Sequence, residues 1–299
     1  MDVMAAPAGE RNRLGIHALV WVPGWSPLEC ERALEWTRET GYDFIEIPLM
    51  DPDEVDAEMT RAALRRHGLS ATCSLGLGFD TDVSSPDPEV AGRGEALLTR
   101  AVEVASEIGS PYLGGVLYSA MGKYQRPGTE EARAQVAGVI ARVAATAERS
   151  GVTLGLEPVN RYESNLVNTA DQALDLIRDS GSLNVMVHLD VYHMNIEEDG
   201  LERPVLRCAD HLGYVHVGES HRGYLGTGTI RHPDLFRALV RIGYLGPIAF
   251  ESFSSAVVSP RFCASLAVWR DLWSDSADLA RKARELMVAE LEAAHRAVA

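Results

Sequence analysis

Four residues in the second half of the sequence have types that hold divalent cations or move protons, and each stands at the end of a short apolar run. Glu157 closes VTLGLE, Asp190 closes NVMVHLD, His216 stands in GYVHV and Glu251 closes PIAFE. Three carboxylates and one imidazole make an oxygen-rich donor set with a single borderline nitrogen, which suits Mn²⁺, Co²⁺ or Mg²⁺ better than a thiolate-preferring metal. Any one of the four alone reads as a helix cap or a solvated loop group. Their recurrence at equivalent places in successive units is what points to a metal site. Each of the first three runs then continues to a hydrogen-bonding residue: Glu163 lies six residues past Glu157, His193 three past Asp190 and Arg222 six past His216.

These runs must lie side by side if the side chains are to meet. Short apolar stretches alternate with amphipathic ones along the chain, the pattern of repeated βα units around a parallel sheet. Strands are expected at Leu14 to Trp21, Asp43 to Ile47, Leu69 to Leu75, Tyr112 to Gly115, Val152 to Glu157, Asn184 to Asp190, Leu212 to Val217 and Pro247 to Glu251. Helices are expected at Pro27 to Glu39, Asp53 to His67, Gly94 to Ile108, Glu130 to Arg149, Thr169 to Arg178 and Pro233 to Arg241, with a closing helix over about 275–298. Gly41, Gly68, Gly109 and Gly151 supply helix stops directly ahead of strands.

Eight such units argue for an α/β fold, a (β/α)8 TIM barrel forming one domain over 1–299 with a flexible N-terminal extension over about 1–12. A doubly wound sheet is the competitor, but WVPGWS after the first strand lacks the fingerprint GxGxxG. In a closed barrel, strands five to eight are neighbours and their C-terminal ends line one arc of the mouth. The irregular stretches Gly76 to Gly92, Leu117 to Thr129 and Ser252 to Ser274 would lie over that mouth.

Composition narrows the partners. A balance of 28 Lys+Arg against 43 Asp+Glu leaves a formal charge of −15, which repels nucleic-acid backbones and anionic lipid headgroups. No apolar run approaches the roughly 20 residues of a bilayer span, and MDVMAAPAGERNR has no apolar signal core, so a cytoplasmic protein is expected. Cys30, Cys73, Cys208 and Cys263 form no CxxC and read as reduced filler residues.

The segments LEPVNRYE, HLDVYHMNIEE, YVHVGESHRG and FESF resemble those of the D-tagatose 3-epimerase family, which includes the D-psicose (allulose) and L-ribulose 3-epimerases among the xylose-isomerase-like barrels. The resemblance covers most of the chain and is sharpest from Val152 to Phe253. It implies that Glu157, Asp190, His216 and Glu251 bind Mn²⁺, with Co²⁺ or Mg²⁺ as alternatives. It implies that Glu163, His193 and Arg222 hold a ketose near O1 to O3, that Phe253 walls the pocket, and that the chain forms a dimer or tetramer. Trp21 either stacks on the sugar or packs in the core. GIHALVW departs from the family, with His17 where aromatic residues are more usual, so the far end of the sugar is where this pocket differs.

The implied reaction is metal-dependent epimerisation at C3 of a free ketose of the D-tagatose, D-psicose, D-fructose or L-ribulose type. A proton leaves the carbon beside the C2 carbonyl and another returns on the opposite face through an enediolate. Glu157 and Glu251 would be the catalytic pair. Glu46, inside FIEIP, must be paired or protonated and reads as a supporting residue. The alternatives are an aldose–ketose isomerase, a keto-inositol dehydratase, a non-catalytic sugar-binding barrel and an abasic-site endonuclease. The glycine-rich GYLGTGT after Arg222 also invites a phosphate-loop reading.

Overall fold

Parallel hydrogen bonding joins each strand to its successor and the eighth to the first, closing the barrel. The strands are β1 (Leu14–His17), β2 (Phe44–Pro48), β3 (Ser70–Leu77), β4 (Tyr112–Ala120), β5 (Thr153–Leu156), β6 (Val185–Asp190), β7 (Leu212–Val217) and β8 (Ile248–Phe250). The computed structural model describes residues 11–298. Most of the expected N-terminal extension falls outside these, but its last two residues are tied down. Arg11 makes a bidentate pair with Asp43, and the buried Asn12 amide donates to the carbonyls of Tyr244 and Gly246.

The helices are α1 (Pro27–Glu39), α2 (Ala57–His67), α3 (Pro88–Ile108), α4 (Glu130–Arg149), α5 (Ala170–Ser180), α6 (Val191–Glu197), α7 (Glu202–Cys208), α8 (His232–Arg241), α9 (Pro260–Leu266) and α10 (Ser276–Val298). Local chemistry fixes their ends. Ser26 and Glu29 form a reciprocal capping box with Pro27 in the first turn of α1, and Thr169 and Gln172 repeat the box on α5. Gly68 and Gly109 cap α2 and α3 in the left-handed region, where a Cβ would be strained.

Three helices depart from the expected pattern. α6, α7 and α9 have seven residues each, too short for a 3.6-residue periodicity to show. α9 lies inside the stretch expected to be irregular. β1 is also shorter than expected, because Leu19 N donates to His17 Nδ1 at 3.2 Å and the chain turns into a 3-10 segment, Ala18–Val20.

Inside the barrel, aromatic rings fill the space near the strand starts. Tyr112 stacks on Tyr214 with ring centroids 4.8 Å apart, and Phe44 and Ala249 complete this cluster. Gly155 makes the arrangement feasible, since a Cβ there would meet Tyr112 Oη at 1.7 Å. A polar layer lies nearer the strand ends. Register sets His17 beside Glu46, Glu46 beside Thr72, and Asp190 beside His216. Among the described residues no helix is long and apolar enough to cross a membrane.

Candidate active site and metal centre

The barrel brings Glu157, Asp190, His216 and Glu251 together at its C-terminal mouth. Glu157 and Glu251 stand one residue past β5 and β8 but keep their ladder bonds, donating from their amides to Gly115 O at 3.1 Å and Val217 O at 3.0 Å. Their Oε1 atoms approach His216 Nδ1 at 3.4 Å and 3.6 Å. Asp190 does two jobs with one carboxylate. Its Oδ1 caps α6 by accepting from Tyr192 N at 2.8 Å, while Oδ2 faces the site, 3.5 Å from His193 Nε2 and 3.6 Å from Arg222 Nη1.

Ligand-type atoms of Asp190, His216 and Glu251 lie within 4.8 Å of one another, and so do those of Glu157, Asp190 and His193. His216 Nδ1 and Asp190 Oδ2 are buried with no hydrogen-bond partner. Leaving such atoms desolvated and unpaired is costly, and a divalent cation among them would satisfy both while offsetting the carboxylate charge. The residues present therefore fit a metal ion.

Support comes from beneath. His216 Nε2 meets Glu46 Oε2 at 2.7 Å, Tyr214 Oη donates to the same oxygen at 2.8 Å, and Thr72 Oγ1 lies 2.9 Å from Tyr214 Oη. A carboxylate behind a histidine fixes the ring so that its other nitrogen faces the ligand position. Burial opposes charge on both partners. Their mutual attraction outweighs it, holding the Glu46 carboxyl well below the usual range and raising His216 well above its own. Burial pushes the Glu157 and Asp190 carboxyls up, with Glu251 adding to both shifts.

Glu163, His193, Arg222 and Phe253 border the same cavity as Glu157, His216 and Glu251. Arg222 adopts a φ of 62°, unusual for a residue with a side chain and costing about 1–3 kcal/mol. Its amide donates to Glu219 O, and Ser252 Oγ donates to its carbonyl. The guanidinium pairs with Glu251 and lies 3.8 Å from the centroid of the Tyr192 ring. The glycine-rich loop after it does not offer a phosphate cradle. The buried Glu219 carboxylate accepts from the amides of Ser220, Gly226 and Ile230, and Thr229 N donates to Ser220 Oγ.

Trp21 is not brought to the cavity. The 3-10 turn that ends β1 carries it toward α1, where its indole donates to Thr37 Oγ1 at 3.0 Å and its ring packs on Trp36. Of the two expected roles, core packing is the one its position allows. His17 lines the cavity from β1 instead, edge-on to Phe253 with centroids 5.5 Å apart.

Some residues of the site were missed. His188 lies against His216, with ring centroids 4.2 Å apart, and neither of its nitrogens has a hydrogen-bond partner. Strand alternation could have found it, because His188 and Asp190 are two residues apart on β6 and share a face. Met50, Met121, Phe262 and Leu266 reach the cavity from loops and α9, and no sequence signal marks them.

Residues 34–283 match the family described as xylose isomerase-like TIM barrel. The chain is 47% identical to the ketose 3-epimerase of Arthrobacter globiformis, covering 94% of this chain and 97% of the relative. It is 46% identical to the L-ribulose 3-epimerase of Methylomonas sp. (strain DH-1), covering 95% and 99%. A crystal structure of a D-allulose 3-epimerase from Methylomonas sp. in complex with D-allulose superposes with a TM-score of 0.92 at 46% identity, covering 96% of this chain and 99% of that one. The chain therefore belongs to the xylose isomerase-like TIM barrels and, within them, to the ketose 3-epimerase family of isomerases.

Proposed function

We propose that the protein epimerises free ketoses at C3, with Glu157, Asp190, His216 and Glu251 holding a divalent ion, Mn²⁺ first, and with Glu157 and Glu251 exchanging the proton. The observation that carries this reading is the approach of two buried carboxylates to His216 Nδ1 beside the unpartnered Asp190 Oδ2. A bound divalent ion supplies Lewis acidity, which stabilises negative charge developing on O2 of the ketose.

The chain's own groups bind, orient and move the proton. Glu157 and Glu251 follow β5 and β8, with β6 and β7 between them, and so can serve opposite faces of C3. One takes the proton as general base and the other returns one as general acid. Arg222, His193 and Glu163 hold the O1 to O3 end, while Phe253, Phe262 and Leu266 wall the cavity against water. The relatives' names make L-ribulose and D-allulose the first substrates to try. The same reading takes the enzyme as a cytoplasmic dimer or tetramer acting on a small sugar, and the charge of −15 opposes the abasic-site alternative.

Hydrogen exchange tests the reaction. Turnover in D₂O should place deuterium at C3 of the recovered sugars and none at C1, read by NMR. Label at C1 alone would move the reacting carbon and put an aldose–ketose isomerase in its place.

The support beneath His216 has its own test. Glu46→Gln puts an amide in place of the carboxylate behind His216, and metal affinity is expected to fall by about 10–100-fold in titration calorimetry with Mn²⁺. Unchanged affinity would show that Glu46 does not orient the ligand.

A further inference from the structure

We infer that Asn160 is a positioning residue that fixes His193 as a hydrogen-bond donor toward the substrate and leaves one oxygen of Glu163 free for it. This rests on the reading that His193 and Glu163 hold the ketose. Asn160 is 1% exposed and lies in the turn after β5.

A backbone amide can only donate, and this settles how Asn160 is oriented. Tyr162 N donates to Asn160 Oδ1 at 3.0 Å, so Nδ2 is the atom on the other side. There it donates to Glu163 Oε1 at 2.8 Å and lies 2.9 Å from His193 Nδ1. The backbone amide of Asn160 also donates to His193 Nδ1, at 3.2 Å. Two donors aimed at one ring nitrogen require a lone pair there. In a neutral imidazole the proton then sits on Nε2. The same two donors exclude the doubly protonated ring, in which Nδ1 would itself carry a proton.

The Nε2–H is not spent within the protein. Its nearest carboxylate oxygens are Asp190 Oδ2 at 3.5 Å, Glu157 Oε1 at 3.9 Å and Glu163 Oε2 at 4.0 Å. A sugar oxygen entering between them would meet a donor. With the other tautomer it would meet a lone pair, which repels a carbonyl oxygen and accepts only from a hydroxyl turned to donate. Because Asn160 holds Glu163 by Oε1, Oε2 is left to accept from a sugar hydroxyl. A residue with no reactive chemistry thus sets the polarity of two substrate contacts.

The experiment uses the metal-loaded enzyme. With ¹⁵N-labelled histidine and diamagnetic Mg²⁺ in the site, the wild-type spectrum should show His193 protonated on Nε2. Asn160→Asp places an acceptor at Nδ1 and should move protonation there. Both variants keep the backbone donor; N160D and the milder N160A, which adds no acceptor, should lose about 10–100-fold in kcat/KM while Mn²⁺ affinity stays within about threefold of wild type. An unmoved tautomer in N160D, or kcat/KM within twofold of wild type in both variants, would overturn the inference, and so would losses that merely track lost metal. His193→Ala separates the two levels. If it costs activity while N160D is silent, only the role of Asn160 fails. If His193→Ala is itself silent, the substrate role of His193 fails and the inference with it.

Discussion

Replacing Glu157 or Glu251 by Gln is expected to lower kcat for ketose epimerisation by about 10²- to 10⁴-fold, because the amide keeps the side chain's size but neither takes nor returns a proton. The two variants should fail differently. If each carboxylate serves one face of C3, a single Gln leaves the opposite base intact. The epimer whose C3 hydrogen faces the surviving carboxylate should still exchange that hydrogen with D₂O, without inverting. NMR of each epimer, incubated separately with each variant, reads both conversion and exchange. Glu157→Gln is the cleaner of the two, since Glu251 pairs with the buried Arg222, and its loss strands a charge inside the protein. Near-normal turnover in both variants would remove the pair from the mechanism.

How much of this arrangement the sequence disclosed depends on the range of the forces involved. The barrel was legible because strand and helix patterning repeats with each unit, and Gly68 and Gly109 end α2 and α3 at the expected stops. The four residues at the strand ends were legible for the same reason, since strand position alone fixes where they project. Trp21 was not. Its fate turns on a side-chain to backbone bond from Leu19 N to His17 Nδ1, which ends β1 four residues early and sends the indole outward. The wall made by Phe262 and Leu266 depends on a seven-residue helix whose residues pack on a small separate cluster around Phe253 and Cys263. No period of that length stands out in a sequence. Asn160 illustrates a third limit. EPVNRYE displays the residue openly, but its importance lies in which of its atoms faces which neighbour, and that exists only once β5 and α6 have been brought together.

Stripping the divalent ion with EDTA is expected to abolish activity, with Mn²⁺ or Co²⁺ restoring it and no thiolate present in the set to resist the chelator. Proton linkage adds a second, independent signature. In the metal-free protein, burial and neighbouring carboxylates raise the proton affinity of Asp190 and Glu157, and the net effect on His216 is also a rise. A group whose folded pKa lies above its unfolded one stabilises the fold fully at pH below the unfolded value, and that contribution is lost as pH climbs through the folded value. In metal-free protein the buried His17, His188 and His193, whose proton affinity burial lowers, act in the opposite sense up to the ordinary imidazole range, so the difference made by metal is what reads Asp190, Glu157 and His216. The metal needs those same groups deprotonated, so the rise in melting temperature on adding saturating Mn²⁺ should grow over about pH 5 to 8. Activity should decline on acidification for the same reason. Differential scanning fluorimetry with and without Mn²⁺ across that range measures the first effect, and initial rates with a ketose measure the second. Full turnover by metal-stripped protein, or a melting-temperature gain that does not depend on pH, would mean that Glu157, Asp190, His216 and Glu251 do not hold a metal ion. Their crowding at the mouth would then need another counter-charge, and Arg222 is the cation already placed against Asp190 and Glu251.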